Sequence, residues 1–370
     1  MMKILLVCGP GISLKEPYDS GIEAFIVSFA NQLIENGHIV EVLAAKAGAH
    51  AKFTLVNPFD EIDKESVHAK QELIEQRQFE NLDLTRYDII HYNMFYPHLL
   101  ESGMKFKIPS FLTLHSPADE KRIAAYRKIS QSSNLIFIAI SDRVKQQWDQ
   151  ALDKDVALVY NGIDMNRWPI TNAQDRSYLL WSARINTEKN VAAAIALAQH
   201  LRLPLKIAGR IVDKKYFEME VRPQLNSEVQ YIGHLTQLEL SELARGARAY
   251  LATATWPEPF GLAALEMLAT GIPVIGFSTA VPPNWKHPSV MTTESTRWQD
   301  LIELVEKSDT VAPELCRAFA SDMTIELMTS SYTKIYQETL MKDGTNKESK
   351  LKCVSKLTVQ EDGNDIESGE

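Results

Sequence analysis

Residues 3–45 read KILLVCGPGISLKEPYDSGIEAFIVSFANQLIENGHIVEVLAA, and the fold follows from how this stretch changes period. Lys3 to Cys8 is a short, almost unbroken apolar run, the composition of a strand covered on both faces. Gly9-Pro10-Gly11 and a polar stretch to Asp19 read as a long loop. Ser20 and Glu23 then stand at capping-box spacing. Ile22, Phe25, Ile26, Phe29, Leu33 and Ile34 form one helical stripe, and Gly37 stops it. A second apolar run, His38 to Ala45, returns to strand composition. Strand, loop, helix, strand is the opening of a parallel sheet.

The same alternation continues outward. DIIHYN (88–93), PSFLTLH (109–115), LIFIAIS (135–141) and ALVYNG (157–162) complete a first set of strands. YLLWSAR (178–184), LPLKIAG (203–209), VQYIGHL (229–235), RAYLATA (248–254) and PVIGF (273–277) make a second. Asn161 to Asp175, with Asn-Gly and Trp-Pro pairs, reads as a linker. The expected architecture is α/β with two doubly wound domains, residues 1–165 and 166–324. A periodic helix follows over about 325–340, and the polar residues 343–370 predict a disordered tail.

Composition narrows the function. The chain has 370 residues, 45% of them hydrophobic, with 48 acidic against 39 basic residues and a formal charge of −9. That balance argues against a nucleic-acid partner. Cys8, Cys316 and Cys353 are far apart, which suggests neither a zinc site nor a disulfide framework. No run is long and apolar enough to span a bilayer, and Met1-Met2-Lys3 leads directly into a strand, so a cytoplasmic protein is expected. Lys121, Arg122, Arg127 and Lys128 leave open a peripheral contact with the inner membrane face, although a plain solvated helix is the favoured reading.

In an open parallel sheet, ligands bind outside the carboxyl ends of the strands. Arg184 closes one strand there and Lys189 opens the next helix. A lysine at a helix N-terminus opposes the macrodipole unless an anion lies between them. Together the two cations suit a phosphate or diphosphate; the alternative is a pair of solvated surface cations. Phe260-Gly261-Leu262 places backbone N–H groups at another helix start, a second anion cradle. Glu258, between Pro257 and Pro259, either complements that dipole or accepts hydrogen bonds from sugar hydroxyls. Glu266 lies in an apolar run with no oppositely charged residue four positions away, so a buried carboxylate waiting for a hydrogen-bonding ligand is expected. In the first domain, Gly11 and Gly21 bound an elongated loop able to approach a ligand, and His115 ends a strand on the carboxyl edge.

These segments resemble the retaining GT-B glycosyltransferases of family 4 over roughly residues 2–340. The most specific match is WPEPFGLAALEMLATGIPVIGF, which fits the family's glutamate, seven residues, glutamate motif followed by Gly-x-Pro-Val. VYNGIDMNRW and WSARINTEKN add to it. The resemblance implies two Rossmann-like domains facing across a cleft, with the last helix crossing back to the first domain. It implies a nucleotide-diphosphate sugar as donor, UDP- or GDP-linked, and no metal or other cofactor. Arg184, Lys189 and the amides of Phe260, Gly261 and Leu262 would bind the diphosphate, Glu266 the ribose and Glu258 the transferred sugar. His115 would lie near the reacting sugar, with Gly11 and Gly21 bordering the donor. The acceptor, whether small molecule, glycan or lipid-linked sugar, would bind around residues 92–98 and 119–128. The stretch STAVPPN (278–284) departs from the Gly-rich turn and glutamate common in relatives. A weakly active sugar-nucleotide-binding protein and a sugar-nucleotide epimerase or hydrolase share the same features and stay open as alternatives.

Overall fold

The computed structural model describes residues 1–56, 68–93, 95–132, 134–170 and 176–358, with backbone alone for 68–71 and 343–358. The opening helix, Gly21–Glu35, forms for the reasons its sequence suggests. The Ser20 amide donates to Glu23 Oε2 at 2.9 Å, and the Ser20 side chain caps the first turn in return. Its apolar stripe buries Phe25, Ile26, Phe29 and Leu33, each side chain worth about 1.5–3 kcal/mol of burial.

Two parallel sheets organise the chain. The first contains β1 (Lys3–Leu14), β2 (Ile39–Ala47), β3 (Thr54–Val56), β4 (Ile89–Tyr92), β5 (Ser110–Leu114), β6 (Leu135–Ala139) and β7 (Ala157–Leu158), in the order β3-β2-β1-β4-β5-β6-β7. The second contains β8 (Tyr178–Ser182), β9 (Leu205–Ala208), β10 (Val229–Gly233), β11 (Ala247–Ala252), β12 (Val274–Phe277) and β13 (Val290–Thr293), in the order β10-β9-β8-β11-β12-β13. In each sheet the order reverses once, between β1 and β4 (Ile4 beside Ile89) and between β8 and β11 (Leu180 beside Tyr250). Those two switch points are where a doubly wound sheet opens a crevice.

One element is longer than its composition suggests. The Gly9-Pro10-Gly11 group is no loop: β1 continues through it to Leu14, bulged at Gly9, where φ is +103°. A glycine at a bulge lets the strand twist and resume pairing, here with Ser13 beside Lys46.

The change of sheet falls between Leu158 and Tyr178, and residues 171–175 of the expected linker lie outside the described residues. Ile163 bridges Thr324 there, with Ile163 N donating to Met323 O at 3.1 Å and Ile325 N to Ile163 O at 2.9 Å. Gly162 is obligatory in this bridge, because a Cβ would sit 2.1 Å from the Thr324 oxygen. Met1–Thr329, with both sheets, is one compact unit; Ser330–Glu370 is the other. The last helix runs Ile325–Thr358, past the expected end near 340; the fate of a tail from 359 lies outside the described residues. Lys, Glu and Leu in 343–358 are good helix formers, and propagation adds a hydrogen bond per residue.

Candidate active site

A cleft of about 620 Å³ lies at the β8/β11 switch and is lined from both halves of the Met1–Thr329 unit. Of the residues singled out by sequence, Gly21, His115, Arg184, Lys189, Glu258, Phe260, Gly261, Leu262 and Glu266 all line it. Gly11 does not: it is an exposed residue on the extension of β1, and a Cβ there would meet only the Tyr96 hydroxyl, at 3.4 Å.

The cationic side comes from β8. Arg184 is exposed and has no ion-pair or hydrogen-bond partner among the described residues. Lys189 closes a short 3₁₀ turn, Thr187–Lys189, just ahead of the helix Val191–Leu201, where its amide bonds Asn186 Oδ1 at 3.1 Å. Behind it, the Thr253 hydroxyl accepts from Trp181 Nε1 at 3.0 Å and donates to Asn190 O at 2.9 Å, which ties this turn to the end of β11. The Lys189 ammonium pairs directly with the Glu258 carboxylate, and both side chains are largely buried. Sequence gave these two residues separate ligands; 69 positions apart, nothing in the chain signalled that they meet.

The amides expected to cradle an anion follow Glu258. Gly261 has φ +85°, a left-handed conformation that favours glycine, and it caps the helix Leu262–Ala269. The Phe260 ring is buried edge-on against Trp285, at 5.6 Å. The N–H groups of Phe260, Gly261 and Leu262 have no bonding partner among the described residues. Glu258 N is held by Thr279 O at 2.8 Å. Arg143, from the first half, binds the same loop region: its guanidinium reaches the carbonyls of Glu258 (2.7 Å), Thr279 (3.1 Å), Ser278 (3.3 Å) and Val281 (3.1 Å).

Glu266 is 9% exposed and receives a 3.3 Å hydrogen bond from Gln237 Nε2. Burial pushes its carboxyl up to about 8, and the Gln237 bond only partly opposes this. Arg167 Nη1 donates to Gln237 Oε1 at 2.9 Å, which orients that amide with its NH₂ toward Glu266.

On the opposite wall, His115 follows β5 and gives its Nε2–H to Asn93 Oδ1 at 3.0 Å, edge-on to Phe25. Burial lowers its pKa to about 3, so the ring is neutral at ordinary pH and acts as a hydrogen-bonding group, with no cationic role. Arg122 also lines the cleft, bonded to Pro117 O at 2.9 Å and stacked 4.9 Å from the Phe95 ring.

Three lining groups escaped the sequence reading. Asn161 is 2% exposed with its Oδ1 unpartnered, hidden in an Asn-Gly pair read only as a turn. His234 follows β10 and bonds Tyr18 O at 2.9 Å across the cleft. Arg210 forms an ion pair with Asp19 of the loop before the first helix. Among the described residues no cluster of His, Cys, Asp and Glu could hold a metal ion, and no helix is long and apolar enough to cross a membrane.

Residues 20–167 match the family model described as glycosyltransferase family 4, and residues 163–310 match that of glycosyl transferases group 1. A glycogen synthase of Mycobacterium tuberculosis is 31% identical over 158 residues, 40% of this chain and 38% of that protein. An uncharacterized glycosyltransferase of Methanocaldococcus jannaschii is 24% identical over 229 residues, 52% of this chain and 58% of that one. The alignments thus span from about two fifths to somewhat over half of the length of these curated relatives. Among solved structures, Anabaena HepE in complex with UDP and glucose superposes with a TM-score of 0.71 at 17% identity, covering 91% of this chain and 100% of that one. AviGT4, a glycosyltransferase involved in avilamycin A biosynthesis, gives 0.66 at 18% identity, covering 92% and 98%.

Proposed function

The chain belongs to the family 4 glycosyltransferases of GT-B fold, and from that premise we propose that it transfers a sugar from a nucleoside-diphosphate donor to an acceptor hydroxyl, retaining anomeric configuration without a metal. The observation that carries the reading is the switch-point cleft in which unpartnered amides of residues 260–262, Arg184 and the Lys189–Glu258 pair converge. Anabaena HepE, of the same fold, is known with UDP-glucose, which supports a nucleotide sugar as donor.

In this reading the diphosphate takes the amides of Phe260, Gly261 and Leu262, and Lys189 exchanges Glu258 for phosphate oxygen. That exchange frees Glu258 to accept hydrogen bonds from the sugar, while Glu266 receives the ribose hydroxyls. As the anomeric C–O bond breaks, charge grows on the leaving diphosphate, where fixed cations and amides stabilise it without reorganising. The acceptor oxygen bonds the anomeric carbon, and its proton leaves with the departing phosphate. Neutral His115, with Nδ1 as acceptor, suits a sugar hydroxyl on the first-half wall.

A screen of UDP- and GDP-sugars for binding and turnover tests this, repeated with Arg184→Ala and Lys189→Ala. Binding of none of them refutes the donor class, and unchanged turnover in both variants refutes the site. Free sugar as the sole product with every acceptor class would make the protein a hydrolase.

A further inference from the structure

Resting on the donor reading above, we infer that Ser141 and Arg143 of the first half are positioning residues for the donor-binding loop of the second. Arg143 is the second residue of the helix Asp142–Leu152, where a cation opposes the helix dipole. The reason for a cation there lies outside the helix, in the four carbonyls that its guanidinium grips at 2.7–3.3 Å. Two of them are of particular consequence. Glu258 O belongs to the residue whose carboxylate pairs with Lys189. Thr279 O already accepts the Glu258 amide at 2.8 Å, so one oxygen joins the loop, its neighbouring turn and Arg143.

Ser141 acts one residue further on. Its Oγ accepts the Val144 amide as the helix N-cap, which leaves the hydroxyl proton to donate to Pro259 O. The Pro259 carbonyl and the Phe260 N–H belong to one peptide unit. A hydrogen bond to that carbonyl polarises the unit and makes the Phe260 N–H a stronger donor toward the diphosphate. The first half therefore holds the loop from behind by its carbonyls while the amides face the cleft. Neither residue touches the donor; both act through Glu258 and the residue 260–262 amides.

The positioning role predicts a pattern that a merely structural one does not. A lysine at 143 keeps the charge but cannot fork across four acceptors. In R143K, hydrogen–deuterium exchange should quicken at least about tenfold in peptides covering residues 256–262 and 278–285 and stay unchanged over β9 and β10. With UDP-glucose and GDP-mannose as probes, kcat should fall about 10- to 100-fold, because displacement of the sugar-orienting loop by about 1 Å costs that much. KM should rise less than fivefold, and S141A should give a smaller loss of the same kind. Circular dichroism establishes folding; if R143A does not fold, R143K and S141A carry the test. Unchanged exchange in the two loop peptides, or kcat equal to wild type in both R143K and S141A, overturns the inference. If the wild type binds no UDP- or GDP-sugar of the screen, the donor reading fails, and the exchange measurement alone decides whether the loop is held as inferred.

Discussion

Glu266 should make nucleotide-sugar binding and protein stability respond to pH in opposite directions. In the unfolded chain its carboxyl ionises near 4.5, whereas in the native chain burial holds the proton on to about pH 8. Between those values the native state binds the extra proton, so the associated stability is complete below about pH 4.5 and is lost as the pH rises toward 8. At about 1.4 kcal/mol per pH unit, the displacement corresponds to about 5 kcal/mol across the window. Glu266→Gln has no such proton and should not show this slope. Ribose hydroxyls, in the role proposed for this site, would by contrast donate to the ionised form. About 1% of the carboxyl is ionised at pH 6 and about half at pH 8, so affinity should rise about 50-fold between them. The phosphates of a nucleotide sugar are both esterified and have no proton to lose in this range, which leaves the protein as the source of any slope. Isothermal titration calorimetry in buffers of different ionisation enthalpy should show about one proton released per donor bound at pH 6–7. A flat affinity with no proton release in the wild type, or the same slope in Glu266→Gln, would refute the reasoning.

Two further outcomes are expected. Glu258→Ala releases Lys189 from its carboxylate partner, so binding of UDP or GDP should tighten about fivefold while turnover falls, as read by calorimetry and a product assay; weaker nucleotide binding would contradict the exchange of partners. His91 and His115 are both pushed down to about 3 by burial, so the stability they confer is full above pH 6.5 and is lost as the pH falls toward 3. Urea unfolding at pH 7 and pH 4.5 should differ by about 3 kcal/mol for each of them, and His115→Asn should remove one share; an undiminished difference in the variant would exclude His115 as a source.

The features legible in the chain were those written in local patterns. The Ser20–Glu23 cap, the Phe25–Phe29–Leu33 stripe and the Glu258–Glu266 segment each declare themselves within about a dozen residues, and the structure places them accordingly. Glu266 was readable as a buried carboxylate because an apolar run offered it no ion-pair partner, and it is indeed buried. What could not be read depends on approach through space. The Lys189–Glu258 pair, the Gln237 bond to Glu266 and the Arg143 grip join residues 69, 29 and more than 100 positions apart. Gly9-Pro10-Gly11 misled for a different reason: turn-forming residues also serve a bulged strand, and only pairing with β2 tells the two apart.

The grip of Arg143 bears on how this chain can vary. A contact made through four main-chain oxygens is indifferent to the side chains that carry them, so the half-buried Ser278 and Thr279 can diverge in identity without loss of this anchorage, whereas Ala280 and Val281 are held to their size by burial in the core. The demand for one side-chain type lies on one side of the contact: only a guanidinium forks across all four oxygens, and any residue supplies a carbonyl. The stretch keeps its place beside the cleft through its main chain, while its own side chains are committed elsewhere: Ser278 to Glu294, Thr279 to the Ala254 carbonyl, and Ala280 and Val281 to the core.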